Sequence, residues 1–338
     1  MHTGHSYSIK EVLLWTRREI LLIVFVSTIP VVLYAALGWT WVVIPWVPIA
    51  LIGTAVAFVV GFKNNASYDR AWEARTAWGA IVNASRSWGL ISRDYVTDMF
   101  LTAESVDLDD ARTTLVYRHL AWITALRYQL RQPRAWESAD LAETKEYRAR
   151  WYSIDERTIP FADALAPYLS EQDIARAVAA PNPAYFMMSE QSANLKRLRE
   201  LGAIEDFRHM EMQILINELL SQQGACERIK NYPYPRQFAT VNLYFVKLFV
   251  LMVPFGMIQE FEKLGEHMVW LTIPFSALVS WIFVMMEKIG TATESPFEGS
   301  ANDVPITALA RTIEIDLRTM LGEDDVPSPA QPSNHILM

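Results

Sequence analysis

Residues 51–86 read LIGTAVAFVVGFKNNASYDRAWEARTAWGAIVNASR, and no proline interrupts them. The opening side chains suit hydrocarbon, whereas the later ones, with Lys63, Asp69, Arg70, Glu73 and Arg75, suit water. One helix across this stretch leaves a membrane and carries straight on into a polar domain, which ties a spanning bundle to a soluble part without a joint. Composition agrees. Of 338 residues, 51% are hydrophobic and only 20% charged, and mean hydropathy is positive, which is apolar for a globular chain and far from the disordered regime. The formal charge of -8 gives no electrostatic case for nucleic acid, which needs clustered Lys and Arg. Cys226 is the only cysteine, so there is no disulfide framework and no cysteine-rich metal site.

Four apolar runs approach or reach the roughly 20 residues needed to cross about 30 Å of hydrocarbon: residues 20–37, 39–62, 239–258 and 267–286. Lys10, Arg17 and Arg18 precede the first, but no small-residue cleavage pattern follows it and a second apolar run begins almost at once, so it is not a secretory signal. The third contains Asn242 and Lys247, polar groups that at membrane depth face protein or water. Lys and Arg crowd the segment before the first run and the long middle stretch, and are nearly absent from the two short links, which places both termini and the middle domain in the cytoplasm. The predicted organisation is a cytosolic segment 1–19, a hairpin 20–62, a helical cytosolic domain 63–238, a second hairpin 239–286, a cytosolic segment 287–321 and a disordered tail 322–338.

The middle domain reads as helical throughout, and the fold class is an all-α membrane protein. Met212, Leu215, Ile216, Leu219 and Leu220 recur at helical spacing as a buried face. Punctuation falls at Pro133, at residues 180–183 (APNP) and at residues 232–235 (YPYP). An amphipathic helix is predicted over residues 306–321. The sequence holds no phosphate-binding loop, no nucleophile elbow and no H-E-x-x-H, and its six histidines lack ligand spacing, so neither an enzyme nor a resident metal or cofactor is expected. Glu205, Asp206, His209 and Glu211 lie together on a predicted helix. Charged residues in that pattern form a solvated face more often than a metal site.

In the second spanning run Gly53, Ala57 and Gly61 make a small-residue stripe, of the kind that lets another helix approach closely in lipid. Beside it Thr54, Phe58 and Phe62 recur at the same spacing. If the small residues pack the helix against its own copy, the neighbouring stripe points along a shared axis; periodicity alone equally allows Phe58 and Phe62 to face lipid or core. The stretch that follows, GFKNNASYDRAWEARTAWGAIVNASR, resembles the bacterial branch of the bestrophin family. CERIKNYPYPRQFATVNLYF (residues 226–245) resembles the family's approach to its third span, and ESPFEGSANDVPI (residues 294–306) its Pro-Phe motif after the fourth.

The resemblance implies a homopentameric, bestrophin-like ion channel of the bacterial inner membrane, passing monovalent inorganic ions, chloride among them, along a central axis. It places Thr54, Phe58 and Phe62 at the neck and Met210, aligned through Asn217 and Glu218, at a cytosolic aperture. Thr54 stands where the family has an apolar residue, which makes that end of the neck wetter. Only Glu298 and Asp303 remain of the acidic run that binds calcium in eukaryotic relatives, too few oxygens for the ion, so neither a calcium site nor calcium gating is expected. Phenyl rings meet anions with their edges and cations with their faces, so the neck does not decide selectivity. Two other classes stay open: a membrane-embedded carrier or enzyme using Lys247 or the Glu205 to Glu211 cluster, against which the lack of symmetry between the hairpins speaks, and a ring-forming scaffold.

Overall fold

A computed structural model of the chain describes all residues except 100, 102–105 and 140. The described residues divide into two compact units, Gly4–Arg70 with Pro233–Ser295, and Met1–Thr3 with Ala71–Tyr232 and Pro296–Met338.

The first unit begins with α1 (Ile9–Trp15), started by a capping box in which Ser8 and Glu11 satisfy each other's backbone N–H groups. It continues with α2 (Arg17–Ala35) and the first part of α3 (Trp46–Tyr95). The apolar run expected from residue 39 opens with one 3-10 turn, Thr40–Val42, and becomes α-helical at Trp46, because Pro45 drives Ile44 out of the helical region and Pro48 fits only the first turn. After the YPYP turn come α11 (Arg236–Glu262) and α12 (Thr272–Thr293). Among the described residues four helical stretches are long and apolar enough to cross a membrane, Arg17–Ala35, Thr40–Tyr95, Arg236–Glu262 and Glu266–Thr293. α2, α11 and α12 pack on one another. α3 locks onto α11 reciprocally. Ile49, Val56, Val60, Val246, Phe249 and Val253 form their shared core; a Cβ on Gly53 would lie 2.6 Å from the Phe249 ring, and one on Gly256 2.5 Å from Ile49. Each helix thus supplies one glycine slot and one large side chain that fills the other's.

The second unit contains the rest of α3, then α4 (Leu108–Arg131), α5 (Ala142–Trp151), α6 (Asp155–Thr158), α7 (Phe161–Leu165), α8 (Glu171–Ala179), α9 (Pro183–Glu200), α10 (Asp206–Asn231) and α13 (Ile306–Met320). Asp107 caps α4, accepting from the N–H groups of Asp109 and Asp110, and Asn182 caps α9 with Pro183 in its first turn. α4 is the axis of the unit, packed by α9, α10 and α13 and buried along Leu115, Leu120, Trp122, Ile123 and Leu126. The expected face of α10 is in this core: Met212, Ile216 and Leu219 are buried, with Leu215 and Leu220 partly so. Residues 322–338 hold no helix, yet their end is tied down. Ile336 is buried, the Met338 carbonyl accepts from Ala308 N at 2.6 Å, and Asn334 Nδ2 donates to the Trp151 carbonyl at 2.8 Å.

Burial of polar groups here is selective. Trp88 Nε1 donates to the Leu115 carbonyl (3.2 Å) and Trp122 Nε1 to Gln223 Oε1 (2.8 Å). Between these indoles lies His119, fully buried, with Nε2 2.9 Å from Ser85 Oγ. Burial pushes its pKa down to about 3, because an imidazolium there loses its water without gaining a counter-charge. In the unfolded chain it titrates near 6.5, so the unfolded state takes up the proton first. Stability carried by His119 is full above about pH 6.5 and is lost as pH falls toward 3, at up to about 1.4 kcal/mol per pH unit. Thermal unfolding followed by tryptophan fluorescence between pH 7.5 and 4.5 should show this loss in the wild type and a shallower one in His119→Gln.

Candidate functional site

α3 has two faces that remain distinct along its length. Gly53, Val56, Val60, Lys63 and Ser67 are turned inward, and Thr54, Phe58, Phe62, Asn65 and Asp69 outward. At 3.6 residues per turn these sets lie on opposite sides of one cylinder. Phe58 is 65% and Phe62 69% exposed, a large apolar area that the chain leaves uncovered. Thr54 shares that face, with its hydroxyl donating back to the Ala50 carbonyl at 3.0 Å, which hides part of the polarity expected of it.

The inward face is held by a buried ion pair. Lys63, 2% exposed, follows Phe62 directly. Its Nζ donates to Glu287 Oε1 at 2.7 Å and to Thr291 Oγ1 at 2.6 Å, and the Thr291 hydroxyl donates to Glu287 at 2.9 Å. Beside it Asn64 lies against Gly290, where a Cβ would overlap its Oδ1. Two turns further, Arg70 Nε donates to the Glu294 carbonyl at 2.9 Å and Arg236 Nη2 to the Glu294 carboxylate at 2.6 Å. This clasp was not legible in the sequence. Its only signal was a basic residue inside an otherwise apolar exit.

The small-residue stripe divides. Gly53 is taken up by Phe249 of its own chain, Ala57 is half-buried, and Gly61 has nothing of the described residues within 4 Å of the place a Cβ would occupy. Met210 lies on α10, 61% exposed, in line with exposed Phe207 and Ile214. Lys247 is on an exposed face of α11 and Asn242 is buried. The Glu205 to Glu211 cluster does not converge: Asp206 pairs with Arg199 at 2.6 Å and Glu211 accepts from Tyr95 Oη at 2.8 Å. Among the described residues no group of three or more His, Cys, Asp or Glu side chains is placed to hold a metal.

Glu298 and Asp303 are buried and engaged by protein donors. Glu298 accepts from Ser138 N (2.8 Å), Ser138 Oγ (2.6 Å) and Ala139 N (3.2 Å). Asp303 accepts from Gly299 N (2.7 Å), Ser300 N (3.0 Å) and the Ser300 hydroxyl, with the Arg131 guanidinium 3.7 Å away. Burial, helped by the neighbouring Asp303 charge, pushes Glu298 up to about 8. Burial also raises Asp303, against the pull of Arg131.

Comparison with known proteins gives one consistent relationship. The family described as Bacterial/Fungal Bestrophin protein matches residues 9–319. Voltage-dependent anion channel-forming protein YneE of Escherichia coli strain K12 is 28% identical over 288 residues, 85% of this chain and 81% of that protein. A voltage-dependent anion channel-forming protein of Ralstonia nicotianae is 30% identical over 291 residues, 86% of this chain and 82% of its own length. The crystal structure of a bacterial bestrophin homolog from Klebsiella pneumoniae, 26% identical, superposes with a TM-score of 0.72 over 90% of this chain and 97% of that one.

The ion pair yields a test. Lys63→Ala leaves the Glu287 carboxylate buried without its counter-charge, a loss of about 3–5 kcal/mol, whereas replacing both partners with apolar side chains is close to neutral. The melting temperature of detergent-solubilised protein should fall clearly in Lys63→Ala and return most of the way in the Lys63→Met, Glu287→Leu double variant.

Proposed function

The chain belongs to the bacterial/fungal bestrophin family, and on that premise we propose that it is an anion channel of the bacterial inner membrane, formed by five copies around one axis. The observation that carries this reading is the bare face of α3. Thr54, Phe58 and Phe62 form one exposed stripe, while the other side of the same helix is fixed by Phe249 and Glu287 of its own chain. Brought together around an axis, five such stripes make stacked rings of Thr and Phe. Phe58 is the middle ring of a constriction narrow enough to expel water, and a dry apolar ring resists ions until it widens.

The names of the relatives, voltage-dependent anion channel-forming proteins, support an anion as cargo, and chloride is the abundant monovalent candidate. Phenyl edges are electropositive and meet an anion without a fixed charge. Met210, exposed on α10, is the second narrowing on the cytosolic side. Both termini are cytoplasmic by the distribution of Lys and Arg. The protein donors around Glu298 and Asp303 favour a channel that opens without calcium.

In planar bilayers Phe58→Ala should raise conductance or open probability, because five phenyl rings leave and no charge is added; the helix survives, since Ala is the best helix former. Val59→Ala, one position round the helix, serves as control. Equal currents from wild type and both variants at matched expression remove Phe58 from the pore.

Native mass spectrometry of the solubilised protein should show a pentamer, and a monomer or dimer as the dominant species overturns the assembly. Ala57→Leu should weaken it by overpacking between copies. Gly53→Leu should instead unfold the subunit, since Phe249 already occupies that slot.

A further inference from the structure

The bare face of α3 does not end at Phe62. From Thr54 to Trp72 its exposed residues are Thr54, Ala55, Phe58, Phe62, Asn65, Tyr68, Asp69 and Trp72, and Asp69 is the only one among them with a formal charge. At about 100° per residue, Phe58, Phe62 and Asp69 fall within about 40° of one another on the helix, and Asp69 lies about 10 Å further along the axis than Phe62. The neighbouring cations are turned the other way. Lys63 is buried on Glu287 and Thr291, and Arg70 reaches the Glu294 carbonyl. Between Thr54 and Trp72 the charge of this face is therefore the carboxylate's alone, and Glu73, one turn beyond it, has its charge met by Arg228.

We propose that Asp69 is a selectivity-determining residue of the channel, forming a ring of carboxylates on the cytosolic side of the Phe62 ring. This inference rests on the pore reading of α3 given above. Five like charges around a narrow axis repel anions and concentrate cations, so the ring lowers chloride flux and blunts discrimination between chloride and sodium. The effect is electrostatic and screened. It is strong when the Debye length exceeds the ring's radius, near 10–20 mM salt, and fades toward 1 M, where that length is about 3 Å.

The test is a reversal-potential measurement on purified full-length channels in planar bilayers under a NaCl gradient. Asp69→Asn should raise the chloride-to-sodium permeability ratio about threefold or more at low salt, the response to losing a potential of about one RT, and the difference should shrink at high salt. Asp69→Glu should keep the wild-type ratio. Asp69→Cys gives a second readout free of folding effects, because the native Cys226 is buried and its thiol is pushed up to about 12 by burial, leaving it unreactive. A cationic thiosulfonate added to Asp69→Cys should raise the chloride current, and an anionic one should lower it. If Phe58→Ala changes the current while Asp69→Asn leaves the ratio unchanged and both reagents are without effect, the inference is overturned and the pore reading stands. If Phe58→Ala is also silent, the pore reading falls and takes this inference with it.

Discussion

A helix that must pack tightly on one side and stay bare on the other has one rotational setting, and the Lys63 to Glu287 contact holds it. The pair fixes α3 at the residue after Phe62, where the apolar run gives way to polar sequence. A rotation of one residue, about 100°, would pull the ammonium off its carboxylate and turn Phe62 into the helix packing. The penalty for a lone buried charge therefore acts on the direction of the phenyl rings. The hydrophobic contacts of Val56, Val60 and Phe249 do not discriminate as sharply, because apolar packing tolerates small rotations that a charged hydrogen bond does not.

Much of this was legible in the amino acids because hydrocarbon imposes a strict rule. Every spanning segment must satisfy its own backbone, so four apolar runs mean four helices, and the described residues hold four stretches able to span. Their starts moved where proline acts: the second helix waits for Trp46 beyond Pro45, and the third begins at Arg236 directly after Pro235. The two-sided character of α3 was also readable, since period alone separates Phe58 from Val56.

What period does not carry is the identity of a partner. Gly53, Ala57 and Gly61 announce a close approach without saying to which helix, and Gly53 turns out to receive Phe249 of the same chain. Lys63 gave no hint of Glu287, 224 positions away. The Glu205 to Glu211 group looked like a cluster only in one dimension. Asp206 turns to Arg199 and Glu211 to Tyr95, contacts set by tertiary packing. The tail after Gly322 reads as unstructured by composition, and the few bonds that hold its end come from distant segments at Trp151 and Ala308.

The reciprocal seating of Gly53 on Phe249 and of Gly256 on Ile49 bears on how such a sequence drifts through inheritance. Neither glycine is free to change alone, since any side chain there meets a ring or a branched chain already in place. Neither Phe249 nor Ile49 can shrink without leaving a void beside a residue that has nothing to fill it. Substitutions at 53 and 249, and at 49 and 256, are thus admissible mainly as exchanges of bulk from one helix to the other. Descendants of this chain should carry the four positions as two linked pairs, with a large residue opposite a small one in each.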